Sequence, residues 1–212
     1  MKVELDILTA QIGAVLAQCE NDLRLEQAVY GMDSLDELAL HRLIADRLSV
    51  HYDVSREVHY PSTFGRKLSN RKRCDLVLSP TGAPLRLDSK PPTLFDPQVF
   101  TLPQEAFWLE VKSAYQFRMP DVRHSGYGQQ WRSAVVEDLR KMDAEPLIHN
   151  AALVLIVFTE SASILEKDLE LLEQVLVSKE VLAGFRQVAS VPIVDRIGHR
   201  VCSAALWPTI VR

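Results

Sequence analysis

The chain has 212 residues, 47% hydrophobic and 25% charged, with a net charge of −4. That composition supplies apolar side chains for one sizeable core and excludes wholesale disorder, while the acidic balance argues against a protein that coats nucleic acid with a general positive surface. The longest uninterrupted apolar stretch, Ala151 to Phe158, spans eight residues, far short of the roughly 20 that a membrane helix needs, so no membrane partner is expected.

In chain order, Ile7, Ile12, Val15 and Leu16 mark the apolar face of a first helix, and Leu35, Leu38, Leu43 and Leu48 that of a second. Ser34 and Glu37 have capping-box spacing, which predicts a second helix starting near Leu35 and ending before His51. Val54 to Tyr60 alternates polar and apolar side chains as a strand does, and Cys74 to Leu78 is a second short β-prone run, so the two are expected to pair as a hairpin. Residues 80 to 103 hold six of the eleven prolines and little periodicity, which predicts an irregular excursion. Ala106 to Ala114 reads as a third strand, and Tyr115 to Gln130 as a loop with interleaved aromatic and basic groups. A helix over 129–144 carries Trp131, Val135, Leu139 and Met142 on one stripe. Ala151 to Phe158 is expected to be a central strand covered on both faces. Leu165, Leu169, Leu172 and Leu176 mark a last helix, whose leucine face either completes the core or forms a homodimer face; two or three strands should follow in 185–211.

The whole therefore reads as one α/β domain over 1–212: an N-terminal helical segment (1–33), a core (34–160) with the order helix, strand, strand, strand, helix, strand, and an added C-terminal helix and strands (161–212). Cys19, Cys74 and Cys202 are three widely spaced cysteines with no C-x-x-C pair, and no basic segment leads into an apolar one at the start. A reducing, cytoplasmic setting is expected.

Charge is unevenly spread. Residues 61–80 hold Arg66, Lys67, Arg71, Lys72 and Arg73 against Asp75 alone, in an otherwise acidic chain. These cations lead directly into Asp75, where they would grip phosphates without reading sequence. On the third strand, Glu110 and Lys112 are two apart and so share a face, while Leu109 and Val111 take the other. A carboxylate here and Asp75 on the neighbouring strand suit a hard divalent ion, Mg²⁺ with Mn²⁺ as substitute, and Lys112 would orient or deprotonate a water. That equipment serves phosphodiester hydrolysis. A rival acid-x-Lys triplet, Asp88-Ser89-Lys90, runs into Pro91-Pro92 and lacks a strand-forming context. The six histidines show no metal-ligand spacing and read as surface or satisfied polar positions. Trp108 shares the parity of Glu110, and either covers the site or packs on a helix.

Asp75 in Arg-Cys-Asp-Leu-Val-Leu, Glu110 and Lys112 in Phe-Trp-Leu-Glu-Val-Lys-Ser, Glu37 in a helix ahead of the strands, and the element order together resemble the PD-(D/E)XK nuclease superfamily. The resemblance covers roughly 34–160. It implies a restriction-endonuclease-like mixed sheet flanked by helices. It also implies a metal held by Glu37, Asp75 and Glu110, Lys112 beside the attacking water, and DNA as the partner. Gln130 or Arg132, on the helix after the lysine strand, would stand near the phosphate. Glu37 is equally a capping partner of Ser34, and Glu57 on the first strand is the substitute ligand if Glu37 points away. Cys74 in place of proline and the long separation of Asp75 from Glu110 depart from the family pattern. The other function that fits is a non-catalytic binding or regulatory protein on the same fold.

Overall fold

The computed structural model describes residues 1–63, 72–87, 99–118 and 122–210. Strand β1 (Tyr52–His59) pairs antiparallel with β2 (Arg73–Pro80), the expected hairpin, and β2 pairs antiparallel with β3 (Phe107–Tyr115). Between β3 and the parallel strand β6 (Ala151–Thr159) lie a two-stranded ribbon, β4 (Phe117–Arg118) with β5 (Val122–Arg123), and the crossover helix α3 (Tyr127–Asp143). Strand β8 (Val201–Pro208) runs antiparallel to β6 and carries β7 (Gln187–Pro192) on the far edge. The result is a mixed six-stranded sheet in the order β1-β2-β3-β6-β8-β7.

Helices cover both faces. On one lie α1 (Leu5–Leu25) and α2 (Glu37–Leu48), packed on Leu109, Val111, Val154, Ile156 and Phe158. On the other lie α3 and α4 (Ala162–Ser178), packed on Trp108, Leu153, Leu155 and Val157. All nine residues of β6 are buried, which explains why it is the most apolar run of the chain: a strand with helices on both faces has no solvent side for polar residues. Leu165, Leu169, Leu172 and Leu176 of α4 belong to that second layer, so its leucine face completes the core instead of forming a dimer face. Among the described residues no helix is long and apolar enough to cross a membrane.

Several local expectations are corrected. In α1 the buried stripe is Leu8, Ile12, Val15 and Leu16, and Ile7 is exposed, because one residue turns the helix by about 100° and only one stripe can face the sheet. In α2 the buried face is Leu40, His41, Ile44, Ala45 and Leu48, which leaves Leu38 outside. Its N-cap is Asp36, whose side chain accepts from Ala39 N at 2.7 Å, while the Ser34 hydroxyl donates to the Gly31 carbonyl in a preceding 3-10 turn. The capping box is therefore absent, and the Glu37 carboxylate is left for another partner. Helix α3 starts at Tyr127, two residues before the expected point, but buries the expected stripe. The two strands that follow α4 among the described residues, β7 and β8, agree with the two or three expected.

The N-terminal helix closes over the C-terminal strands: a Cβ placed on Gly13 of α1 would stand 2.7 Å from the Ala189 Cβ of β7. A mid-helix glycine ordinarily costs about 0.5–1 kcal/mol against alanine. Here the contact should reverse that gain. We expect Gly13→Ala to lower the urea midpoint and Ala189→Gly in the same chain to recover part of the loss; a stabilised Gly13→Ala protein would show that the helix does not rest on β7 at this point.

Candidate active site

The site forms where the sheet forks. The β2–β3 ladder runs from Leu78↔Phe107 to Leu76↔Leu109 and stops there. At the next residue, Asp75, the side chain takes over from the backbone: its Oδ2 accepts from the Val111 amide at 2.8 Å. On the other flank, β1 and β2 keep one register from Tyr52↔Pro80 to His59↔Arg73, and Glu57 stands opposite Asp75 with a φ of 53°. A left-handed glutamate inside a strand is strained, and such strain concentrates at functional positions. It also reverses the side-chain alternation. Val54 packs against the α2 layer and Val58 in the α3 layer, although both numbers are even, and Leu76 and Cys74 divide in the same way.

Glu110 and Lys112 point together toward α3, as their spacing predicts. There they meet two residues of α3 that the sequence pattern did not single out. Lys112 Nζ lies 3.3 Å from Asp138, 3.5 Å from Glu37 and 3.9 Å from Asp75. Lys141 Nζ lies 2.6 Å from Glu110 and 2.7 Å from Asp138. The Tyr60 hydroxyl donates to Glu110 at 2.6 Å, and its ring stacks on Trp108, which is fully buried and serves as packing. Asp138 and Lys141 are three apart on α3, hence on one face. Their role was legible only once α3 was known to cross over β3.

Glu37, at the first turn of α2, accepts from the Ser113 amide at 3.1 Å and pairs with Lys112. Its carboxylate is thus drawn to the site through the lysine. His41, one turn further along the same helix, is buried and hydrogen-bonded, one of the satisfied polar positions expected of the histidines, and it also stands beside Asp75. Its Nε2 lies 3.0 Å from the Val111 carbonyl, which makes that nitrogen the N–H donor and leaves Nδ1 as an acceptor. Nδ1 faces Asp75 Oδ1 at 3.8 Å. Two acceptors facing one another leave room for a cation between them. His41, the exposed Glu57 and the half-buried Asp75 offer ligand atoms all within 4.8 Å of one another, a group able to hold a metal ion. A histidine whose second nitrogen is fixed by a backbone carbonyl is oriented as metal-binding imidazoles are. Asp75 and Glu57 were candidate ligands on the strands, whereas His41 joins them from a helix, so no sequence spacing could have announced the group as a whole.

Electrostatics agree with a cation site. Glu37, Asp75, Glu110 and Asp138 surround Lys112 and Lys141, so carboxylates outnumber ammonium groups. Burial, reinforced by Asp75 and opposed by Lys141, pushes Glu110 up to about 8. Burial also raises Asp75, against the pull of Lys112 and the Val111 amide. Burial disfavours the Lys112 charge, but Asp138, Asp75 and Glu37 outweigh it and raise the lysine above its ordinary value. Lys112 is therefore an ammonium, a donor and not a proton acceptor. Desolvation lowers His41, which keeps its Nδ1 lone pair free.

The expected phosphate contacts divide. Lys72 and Arg73 are exposed at the start of β2, and Arg73 lies 3.8 Å from Glu57, beside the site. Arg66, Lys67 and Arg71 lie outside the described residues, as does the rival triplet Asp88-Ser89-Lys90. Gln130 is exposed on a cleft that opens from Lys112. Arg132 turns away, its guanidinium 3.6 Å from Asp168 of α4 and over the Trp131 ring.

Because the folded-state value of Glu110 lies above its ordinary 4.5, the neutral carboxyl stabilises the metal-free protein fully below that value, and this contribution is lost as pH rises to about 8. Urea melts in a chelator should show wild-type stability falling over this window, with a shallower slope for Glu110→Gln. Equal slopes would mean that Glu110 ionises freely.

Comparison of the chain with protein-family models, with curated proteins and with solved structures found no match.

Proposed function

We propose that this protein is a divalent-metal-dependent nuclease that hydrolyses phosphodiester bonds in DNA, on a restriction-endonuclease-like fold. The observation that carries this reading is the meeting of Asp75, Glu110 and Lys112 at the fork of β2 and β3, with an excess of carboxylate around them. Asp75 would be the shared ligand of an Mg²⁺ or Mn²⁺ ion. Glu110 flanks it on the α3 side and His41 with Glu57 on the α2 side, and Glu37 stands behind Lys112. Such an ion supplies charge neutralisation at the phosphoryl oxygens and a more acidic bound water.

This chain's own groups account for the rest. Lys112, held as an ammonium by three carboxylates, donates a hydrogen bond to the attacking water or to a phosphate oxygen and fixes its place. Asp138 holds Lys112 in that position and shares Lys141 with Glu110. Arg73 and Lys72, at the entry to β2, meet the flanking phosphates.

A second reading, a non-catalytic binding protein on the same fold, draws on one observation: Glu110 is already engaged by Lys141 and by Tyr60, each at 2.6 Å. A carboxylate so neutralised has less to offer a metal.

Incubation with linear, circular and single-stranded DNA and an RNA control, in Mg²⁺ and Mn²⁺, separates the two. The nuclease should cut DNA only with metal, and Lys112→Ala should lose about 10²-fold or more in rate. Calorimetry with Mn²⁺ should show Asp75→Asn abolishing binding and His41→Ala weakening it about 10–100-fold. Metal binding without cleavage of any substrate would favour the binding protein.

A further inference from the structure

From Lys112 a cleft of about 600 Å³ runs outward between the β4–β5 ribbon and the start of α3. Its walls are apolar and aromatic, formed by Leu35, Phe117, Tyr127 and Trp131, with Arg118 and Gln130 among the lining residues. The proposed chemistry uses only its inner end, where Lys112 and Glu37 stand. The remainder is a built and unexplained pocket beside the reacting phosphate.

Several features describe what fits it. The volume falls in the range of sites that bury a small organic group, room for a base and its sugar. Trp131, 4% exposed, closes the wall with its buried ring. The Gln130 amide, exposed on the same lining, presents both a donor and an acceptor, as the edge of a nucleobase does. The first turn of α3 borders the cleft with no acidic residue and no side-chain cap, so the positive end of its dipole favours an anion although the Tyr127 N–H is already met by the His124 carbonyl. Of the two carboxylates on the lining, Asp33 is buried with its Oδ2 2.9 Å from His199, and Glu37 is engaged by Ser113 and Lys112. Lys112 and Arg118 thus match a phosphate at each end.

Resting on the nuclease reading, we infer that this cleft receives an unpaired nucleotide next to the scissile phosphate, so that the substrate is single-stranded DNA or an unpaired strand end. In an intact duplex each base is stacked and paired, and entry would require flipping it out against its pairing and stacking. An unpaired base enters without that cost and gains stacking on Tyr127 and its aromatic neighbours.

The test uses the full chain in Ca²⁺ with a dT12 oligonucleotide carrying one 2-aminopurine, the same strand annealed to its complement, and an rU12 analogue with the same label. Single-stranded DNA should bind at least about tenfold more tightly than duplex, with the 2-aminopurine emission quenched by stacking. Tyr127→Leu should weaken that binding about tenfold, and Ala134→Phe, which fills the cleft from α3, should remove both binding and quenching while circular dichroism remains that of the wild type. Duplex bound as tightly as single strand, or binding with unchanged emission, would overturn the inference, and a preference for rU12 would overturn its assignment to DNA. Cleavage in Mn²⁺, run in parallel, keeps the two readings apart. Duplex cut in preference to single strand removes the cleft inference and leaves the nuclease, whereas quenched single-strand binding with nothing cut removes the nuclease reading and leaves the cleft.

Discussion

The geometry of the site depends on one hydrogen bond, the Asp75 carboxylate accepting from the Val111 amide at 2.8 Å. It replaces a ladder bond where β2 and β3 part, and a charged acceptor makes such a bond worth about 1.5–3 kcal/mol. The other polar group of the same residue, the Val111 carbonyl, is met by His41 from α2. Residue 111 is therefore held at both ends by the site it helps to build. With its side chain in the α2 layer, its neighbours Glu110 and Lys112 have only the α3 side to face.

A fork of this kind brings polar groups into an interior that would otherwise be closed by apolar contacts. Glu110 is 1% exposed, and its cost is limited by Lys141 and Tyr60, while Lys112 is balanced by three carboxylates. Such a network is stable only when every member is satisfied. The acidic excess and the unprotonated His41 nitrogen leave it short of one positive charge on the flank of Asp75. Glu57, in its left-handed conformation, brings its carboxylate to that same flank. The strained residue, the free imidazole nitrogen and the raised carboxyl groups are thus parts of one electrostatic situation, which a divalent cation would relieve.

The surrounding layers set where this network can open to solvent. β6 and β8 are filled by apolar side chains, and α1 closes against β7 through Gly13, so the C-terminal half presents a continuous core behind the site. The parallel pairing of β3 with β6 requires a crossover, and α3 supplies it. That connection puts the Asp138–Lys141 face over β3 and the start of the helix beside the β4–β5 ribbon. Core and cleft are two consequences of the same crossover.

Much of this was written locally. The apolar run of 151–158, the stripes of α3 and α4, and the shared face of Glu110 and Lys112 follow from periodicities of 2 and 3.6, which need no partner to be read, whereas the alternation of Val54 to Tyr60 is broken at the left-handed Glu57. Asp75, Glu110 and Lys112 were recognisable as candidates for the same reason: each lay in a strand-forming run with apolar neighbours. His41 and Glu57 in a common ligand group, Asp138 and Lys141 beside the strand lysine, and Asp36 in place of Ser34 as the helix cap were not recognisable in that way. Each depends on which element crosses which, and on which of two competing local hydrogen bonds the chain selects. Sequence by itself determined most of the elements and the faces of β3, α3 and α4, because these are properties of neighbouring residues. Only the tertiary structure decided which charges meet, because distances between residues such as 41, 57, 75 and 138 are set by strand order and the crossover.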